Sequence, residues 1–315
     1  MPSRLTKRWG RAAIIVLFFV TQGAHAATAA TPKAQAEIEK YGNTYSGKQI
    51  GGLRAIYKEH LAEAGNETAA VIRDVSYGPH ERHRLDVLKP KNPGSDAMPV
   101  LVFIHGGAFV LGNKSDGVIF DNVLNYFVSR GVLGINATYR LAPDNQWPAG
   151  ADDIREIVRW IRNNATEYGG DPNRIFLMGH SAGAAHVATY SFVEELQLDD
   201  GDDGVVGSIL LSGTFGEGNE ESMLAYYGED RSLWAERLPI NHIEGRRIPL
   251  FVINAEYDRT LMAQESIALI QAICERDDRC PDHKQIPGHN HYSMMYHFNT
   301  ADDSIAADIL EFIRR

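Results

Sequence analysis

The stretch Arg174–Gly183 reads RIFLMGHSAG and places an apolar run directly before a glycine-containing turn. Ile175–Met178 has the continuous apolar character of a buried strand, and Ser181–Leu196 continues with helical spacing. The turn between them, at residues 179–183, has the G-x-S-x-G spacing. In a tight turn from strand to helix, small residues fit at both ends and the central serine is held on an exposed corner. The pattern therefore predicts that Ser181 is a nucleophile.

Strand and helix signals alternate along most of the chain. This predicts an α/β fold with a mostly parallel central sheet and helices on both faces. The predicted strands are Val71–Tyr77 and His83–Leu88 (an antiparallel pair), then Pro99–His105, Val132–Asn136, Arg174–Met178, Val205–Leu211, Pro249–Asn254 and Asp282–Ile286. The predicted helices are Phe120–Ser129, Ala151–Glu167, Ser181–Leu196, Met262–Cys274 and Ser304–Ile313. Residues 71–315 are thus predicted to form one catalytic domain.

Residues 212–247 interrupt this alternation and contain the aromatic residues Phe215, Tyr226, Tyr227 and Trp234. An insertion after a strand of such a sheet would lie over the edge where ligands bind. We therefore predict a small cap, and a surface excursion without a role in binding is the alternative. The four rings are expected either to line an acyl or aryl pocket or to pack as core.

The first 26 residues have the layout of a secretory signal peptide. Four basic residues (Arg4, Lys7, Arg8 and Arg11) precede the apolar run Ala12–Val20, and Ala24-His25-Ala26 supplies a cleavage site. The alternative is an uncleaved N-terminal anchor. We expect an exported protein, periplasmic or secreted, that keeps no stable membrane span after cleavage. Residues 27–70, with helices predicted at Lys33–Tyr41 and Gly51–Ala64, are expected to form an N-terminal arm.

The net charge and the cysteine content of the chain bear on its partners and cross-links. The 315 residues include 31 basic and 41 acidic side chains, a net charge of −10 that would repel nucleic acid. The two cysteines, Cys274 and Cys280, suggest a local disulfide in an exported chain, with two free thiols as the alternative. No compact His/Cys cluster lies near them, so we expect no metal site. We also expect no organic cofactor. The oligomeric state is left open.

A second glycine turn follows the predicted strand Pro99–His105, in His105-Gly106-Gly107-Ala108-Phe109. Acyl transfer builds negative charge on a carbonyl oxygen, which backbone N–H groups can stabilise. The expected donors are the N–H groups of Gly107, Ala108 and Ala182. His105 is expected to hold this loop in place.

A serine hydroxyl needs a base, and the base needs an orienting acid that precedes it in the chain. Asp258 lies just past the strand Pro249–Asn254 and is the expected acid, with Glu256 as competitor. The segment GHNHYS at residues 288–293 offers His291 and His289 as the base, and spacing favours His291. His297 is a third candidate, and His283, in a predicted strand, is a weak one.

These motifs together resemble the α/β-hydrolase fold esterases, in particular the carboxylesterases related to hormone-sensitive lipase and the kynurenine-formamidase-like group. The resemblance rests on HGGAF at residues 105–109 and on YRLAPDNQWPAGADDIREIVRWIRNNATEYGGDPNRIFLMGHSAGA, and it extends from about Asp74 to the C-terminus. It implies Ser181 as nucleophile, Asp258 as acid and a base in GHNHYS. In relatives of the formamidase-like group the catalytic histidine precedes a bulky residue and Ser or Thr, as His291 does here.

Two departures concern the substrate. Ala108 stands where the lipase-like branch has a third glycine, and Phe109 where the formamidase branch has tryptophan. We predict a serine hydrolase that cleaves short-chain carboxylic esters through an acyl-enzyme. The alternatives are formamide or amide hydrolysis, carbohydrate deacetylation and, outside enzymes, a catalytically silent scaffold that binds ligands.

Overall fold

A computed structural model describes residues 32–64, 69–198, 202–217, 220–302 and 304–315. The predicted signal peptide lies outside the described residues. The strands are β1 (Ala69–Ser76), β2 (Arg84–Pro90), β3 (Met98–Ile104), β4 (Leu133–Ala137), β5 (Gly170–His180), β6 (Val205–Leu211), β7 (Leu250–Tyr257) and β8 (Asp282–Asn290). The helices are α1 (Pro32–Tyr41), α2 (Gly47–Ala64), α3 (Asp121–Val128), α4 (Ala149–Asn164), α5 (Ala182–Phe192), α6 (Glu220–Tyr227), α7 (Trp234–Arg237), α8 (Thr260–Asp277), α9 (Ser293–Tyr296) and α10 (Ala306–Arg314).

The eight strands form one sheet in the order β1-β2-β4-β3-β5-β6-β7-β8. β1 pairs with β2 and β2 with β4 in antiparallel fashion, whereas every pair from β4 to β8 is parallel. The predicted α/β class, with a mostly parallel sheet, is confirmed. Because β3 to β8 run in one direction, the loops after their carboxyl ends meet at a single edge of the sheet.

The central strands β3 and β6 and residues 175–178 of β5 are mostly apolar because both faces of the sheet are covered there. Successive side chains alternate between two cores: Phe103 and Met178 point to one face, and Val102 and Leu177 to the other. Helices α4, α5 and α8 cover the second face, while α1, α2, α3 and α10 cover the first. This alternation fixes the register, since a slip of one residue would exchange the two faces.

Helix α2 begins at Gly47, four residues before the predicted start, although three glycines lie within it. Burial of its apolar side chains outweighs the helix-weakening effect of these glycines. Leu53, Ile56 and Tyr57 pack into the core of the first face, together with Ile38 of α1. No described helix is both long and apolar enough to cross a membrane.

Strand β8 also extends beyond the prediction, to Asn290, and a one-turn helix, α9, follows it. At the other end of β8 the Sγ atoms of Cys274 and Cys280 form a disulfide that joins the end of α8 to the loop before the strand. The segment after β6 contains the short helices α6 and α7.

Candidate active site

Ser181 lies between the end of β5 and the start of α5, with φ 55° and ψ −121°. Residues other than glycine adopt this conformation at a cost on the order of 1–3 kcal/mol, and such strain is concentrated at functional sites. The two flanking glycines make the turn possible. A Cβ on Gly179 would lie 2.4 Å from the carbonyl oxygen of Gly183, and one on Gly183 only 2.2 Å from that of Ile104. The turn therefore has the geometry that the G-x-S-x-G spacing predicts.

The glycine turn after β3 comes against this serine. A Cβ on Gly106 would lie 3.1 Å from Ser181 Cβ, so only glycine lets the two backbones approach this closely. Gly107 has φ 140°, and Ala108 and Phe109 have φ 51° and 67°. Ala182 is the first residue of α5, where the positive end of the helix dipole lies. The structure thus places Gly106 against Ser181, with Gly107 and Ala108 next in the same turn and Ala182 directly after the serine.

His105 is completely buried beneath this turn. Its Nδ1 lies 2.7 Å from the carbonyl oxygen of Gly106, and its ring stacks on Tyr139 with centroids 4.4 Å apart. Burial lowers the pKa of His105 to about 4, so the ring is neutral at pH 7. These contacts match the expected role of His105 in holding the loop.

Asp258 is buried at the carboxyl end of β7, at 4% exposure. Its Oδ2 accepts hydrogen bonds from the hydroxyl of Ser212, from the N–H of Ala255 at 2.9 Å and from Asn254 Nδ2 at 3.3 Å. Its Oδ1 lies 3.3 Å from His291 Nδ1. Three donors therefore fix one oxygen of this carboxylate and leave the other to the imidazole.

His291 follows the end of β8 and is also buried. The carbonyl oxygen of His291 accepts a hydrogen bond of 2.9 Å from His180 Nε2, and the two rings are 4.5 Å apart. His180 immediately precedes Ser181, so this bond joins the loop of the predicted base to the turn of the predicted nucleophile. The structure brings Ser181, His291 and Asp258 together at one edge of the sheet.

The competing histidines have other partners. His289 Nε2 lies 2.9 Å from Asp302 Oδ2, and His289 Nδ1 lies 3.2 Å from Ser293 Oγ. His297 is fully buried beside His289, and burial lowers its pKa to about 3. His283 is exposed near the start of β8, with Nδ1 3.2 Å from a backbone carbonyl oxygen. His291 is therefore the candidate histidine in contact with Asp258.

The competing acid is likewise turned elsewhere. Glu256 Oε2 accepts a hydrogen bond of 2.7 Å from the N–H of Gly288, near the end of β8. Glu256 is exposed, and its carboxylate bonds to the backbone at Gly288 instead of to a histidine ring.

Two contributors to this arrangement were missed by sequence reasoning. His180 is the variable residue of the G-x-S-x-G turn, and Ser212 lies in the loop after β6. Burial lowers the pKa of His180 well below its usual value, so its ring is neutral when Nε2 donates to His291. The signal for Ser212 was its position at the carboxyl end of a strand, next to β7 in the sheet.

The comparisons with known proteins identify the fold. The BD-FAE family model matches residues 85–203, which include the Ser181 turn. A structure described as a bacterial heroin esterase superposes with a TM-score of 0.68 at 21% identity, covering 90% of this chain and 96% of that one. A hyperthermophilic esterase from the archaeon Pyrobaculum calidifontis gives a TM-score of 0.68 at 19% identity, covering 91% and 98%. The chain has the α/β-hydrolase fold.

Curated relatives of this α/β-hydrolase carry esterase names. Esterase LipQ of Mycobacterium tuberculosis is 26% identical over 254 residues, 74% of this chain and 59% of LipQ. Isoprenylcysteine alpha-carbonyl methylesterase ICME of Arabidopsis thaliana is 36% identical over 125 residues, 40% of this chain and 28% of ICME. The chain therefore spans less than two thirds of either relative. The resemblance to esterases of this fold that the motifs predicted is confirmed.

The predicted cap segment packs against the glycine turn after β3. Tyr226, Tyr227 and Trp234 are at most 3% exposed and form a cluster with Phe109 and Ala182. Phe109 stacks on Tyr226 with centroids 4.6 Å apart and the rings inclined by 5°. The fourth predicted ring, Phe215, is buried in the core of the second face. Tyr226, Tyr227 and Trp234 thus pack the predicted cap segment against the glycine turn and the start of α5.

Elsewhere in the α/β-hydrolase, a cavity of about 740 Å³ lies at the opposite, amino-terminal edge of the sheet, among Arg174, Val206 and Pro281. It shares no residue with the Ser181 site, and we attach no catalytic role to it. Within the described part of the chain, no three His, Cys, Asp or Glu side chains form a group that could hold a metal ion.

Proposed function

We propose that this α/β-hydrolase cleaves short-chain carboxylic esters with Ser181 as nucleophile, His291 as base and Asp258 as orienting acid. The observation that carries the proposal is the contact of His291 with Asp258 on a loop that is hydrogen-bonded to the turn of Ser181. Nucleophile, acid and base follow one another in the chain in the order usual for this fold.

In the proposed mechanism, Ser181 Oγ attacks the ester carbonyl carbon and His291 Nε2 takes the hydroxyl proton. Asp258 stabilises the resulting imidazolium through Nδ1. The N–H groups of Gly107, Ala108 and Ala182 hold the oxyanion, and removing one such donor from an enzyme costs about 3 kcal/mol of transition-state stabilisation. The imidazolium then protonates the departing alkoxide, which leaves an acyl-enzyme and a neutral base.

Water completes the cycle. His291 takes a proton from the water as its oxygen attacks the acyl carbonyl carbon, and the proton returns to Ser181 Oγ when the carboxylic acid leaves. The atoms and charges balance without a redox partner, and the proposal assigns no role to a metal or an organic cofactor. The substrate is a small ester molecule.

The preference for short acyl chains rests on the cap segment. Its rings pack on Phe109 and on the start of α5 and do not form an exposed apolar surface. The esterase names of LipQ and ICME support ester hydrolysis in general and leave the natural substrate open.

A series of p-nitrophenyl esters from acetate to dodecanoate tests the proposal. We expect the highest kcat/KM on acetate and butyrate, and loss of turnover in Ser181→Ala. Equal turnover by Ser181→Ala would refute the serine mechanism. A folded wild type that leaves the series untouched but hydrolyses N-formyl aromatic amides or acetylated sugars would replace the substrate class.

We also propose that the protein is exported to a periplasm or secreted after cleavage following Ala26. The basic and apolar composition of residues 4–20 supports this, and a disulfide suits an oxidising compartment. Mass spectrometry of the protein produced in its native cells should find a mature N-terminus at Ala27. A full-length chain retained in the membrane fraction would instead indicate an uncleaved anchor.

A further inference from the structure

A tyrosine from the N-terminal arm reaches the acid–base corner of the site. Tyr45 lies between α1 and α2, far from the catalytic residues in sequence. Its hydroxyl donates a hydrogen bond of 2.8 Å to the carbonyl oxygen of Tyr257, the residue immediately before Asp258. The arm is thereby bonded to the loop that carries the proposed acid.

The ring of Tyr45 also contacts the loop of the proposed base. It stacks near His291, with centroids 6.4 Å apart and planes inclined by 20°, and meets Tyr292 edge-on at 5.3 Å. The guanidinium of Arg259, the residue after Asp258, lies 5.5 Å from its centroid. Tyr45 therefore contacts Tyr257 and Arg259, the two residues that flank Asp258. It also lies against His291 and Tyr292 in the loop of the proposed base.

The packing between this part of the arm and the corner is open. A cavity of about 410 Å³ lies between them, lined by Gly42 and Asn43 of the arm and by Tyr257, Asp258 and Thr260 beyond it. Asn43 Nδ2 spans the gap with a hydrogen bond of 3.3 Å to Thr260 Oγ1. Because the packing here is open, Tyr45 carries much of the connection between the arm and the acid loop.

Tyr45 remains a hydrogen-bond donor at neutral pH. Its burial, and next the negative charge of Asp258, raise the pKa of its phenol well above the usual value. The hydroxyl is thus protonated at neutral pH and available to donate to the carbonyl oxygen of Tyr257.

We propose that Tyr45 is a positioning residue that holds the acid loop and the base loop in register, so that the N-terminal arm completes the catalytic corner. The inference rests on the proposed roles of Ser181, His291 and Asp258. Displacement of a catalytic group by about 1 Å can lower a rate by about 100-fold, so a small shift of either loop would be seen in kcat. The hydroxyl bonds to backbone, and it acts on the substrate only through the loops.

The test compares Tyr45→Phe, Tyr45→Ala and wild type in full-length mature protein. Tyr45→Phe removes one hydrogen bond and should lower kcat for p-nitrophenyl butyrate by about fivefold with KM unchanged. Tyr45→Ala should lower kcat by about 100-fold. Tyr57→Phe is the matched control. It removes a buried hydroxyl from the same arm, and that hydroxyl has no hydrogen-bond partner in the structure. The Tyr57→Phe variant should therefore retain wild-type kcat.

A second readout separates this inference from the proposed substrate. A fluorophosphonate phosphonylates an activated serine whatever ester the enzyme prefers, and Tyr45→Ala should slow the labelling of Ser181 by about the same factor as kcat. If wild type is labelled but cleaves no p-nitrophenyl ester, the substrate proposal fails while the labelling rates still test Tyr45. Wild-type kcat and labelling rate in a thermally destabilised Tyr45→Ala would overturn the inference and leave Tyr45 a purely structural role. Failure of the wild type to be labelled at Ser181 would refute the serine mechanism, and with it this role for Tyr45.

Discussion

Asp258→Asn should remove almost all activity without disturbing the fold, and the structure gives the reason. Oδ2 of Asp258 faces three donors, from Ser212, Ala255 and Asn254. In the variant the amide oxygen has to take that position, because an NH₂ group there would face donors. The NH₂ group then takes the position of Oδ1, 3.3 Å from His291 Nδ1.

An NH₂ group can only donate a hydrogen bond, so Nδ1 of His291 would become the acceptor. The neutral imidazole would then carry its proton on Nε2 and could not take the proton of Ser181. The same exchange lowers kcat by about 10⁴ in a serine protease, which corresponds to about 5 kcal/mol of transition-state stabilisation. We expect a loss of this size in kcat/KM for p-nitrophenyl butyrate.

Asp302→Asn is the matched control, since the chain contains a second buried Asp–His pair in His289 and Asp302. We expect this variant to stay within about tenfold of wild type, because Asp302 contacts His289 and not the proposed base, His291. Circular dichroism should show native secondary structure in both variants. An Asp258→Asn protein within tenfold of wild type, or a loss of 10⁴ in Asp302→Asn alone, would refute this reasoning.

Three further predictions concern the base, the disulfide and acid stability. His291→Ala should lose several orders of magnitude in kcat/KM while His289→Ala keeps most of its activity, and the reverse result would assign the base to His289. Thiol titration of the denatured, unreduced protein should find no free thiol, and two titratable thiols would contradict the disulfide. Mutation of both Cys274 and Cys280 to serine should lower the free energy of unfolding by about 2 kcal/mol. Burial lowers the pKa of His186 to about 3, below the value of about 6.5 in the unfolded chain. The unfolded chain therefore binds the proton first as the pH falls. The stability that is present above pH 6.5 is lost as the pH falls towards 3. Urea unfolding at pH 7 and pH 5 should show a loss on the order of 2 kcal/mol from this residue, and His186→Phe, which replaces a ring with two unpartnered nitrogens, should reduce that loss; an equal loss in the variant would show that other groups set the acid limit.

Local sequence patterns were sufficient to predict the sheet and the turn that carries Ser181. β3 and residues 175–178 of β5 are apolar runs, and such runs bounded by turns indicate buried strands without reference to the rest of the chain. The G-x-S-x-G spacing likewise predicts a strained serine, because the requirement for glycine at residues 179 and 183 arises within a few residues. The predicted boundaries of α2 and β8 were too short, since tertiary burial extends an element beyond its propensity.

The choice between neighbouring candidates needed contacts from distant parts of the chain. His289 and His291 lie two residues apart with similar surroundings in sequence, and β8 ends between them. His289 lies inside β8 and meets Asp302, whereas His291 lies just beyond the end of the strand and meets Asp258. Sequence spacing favoured His291 as the base but did not show that His289 contacts Asp302.

By itself, the sequence determined the fold class and the serine turn, because these follow from periodicity and from the steric demands of a short segment. The tertiary structure alone decided which partners complete the corner: Ser212 on Asp258, His180 on His291, and Tyr45 on both loops. These contacts join residues far apart in the chain. Only the packing of the sheet and the arm sets their distances, and no local pattern contains that information.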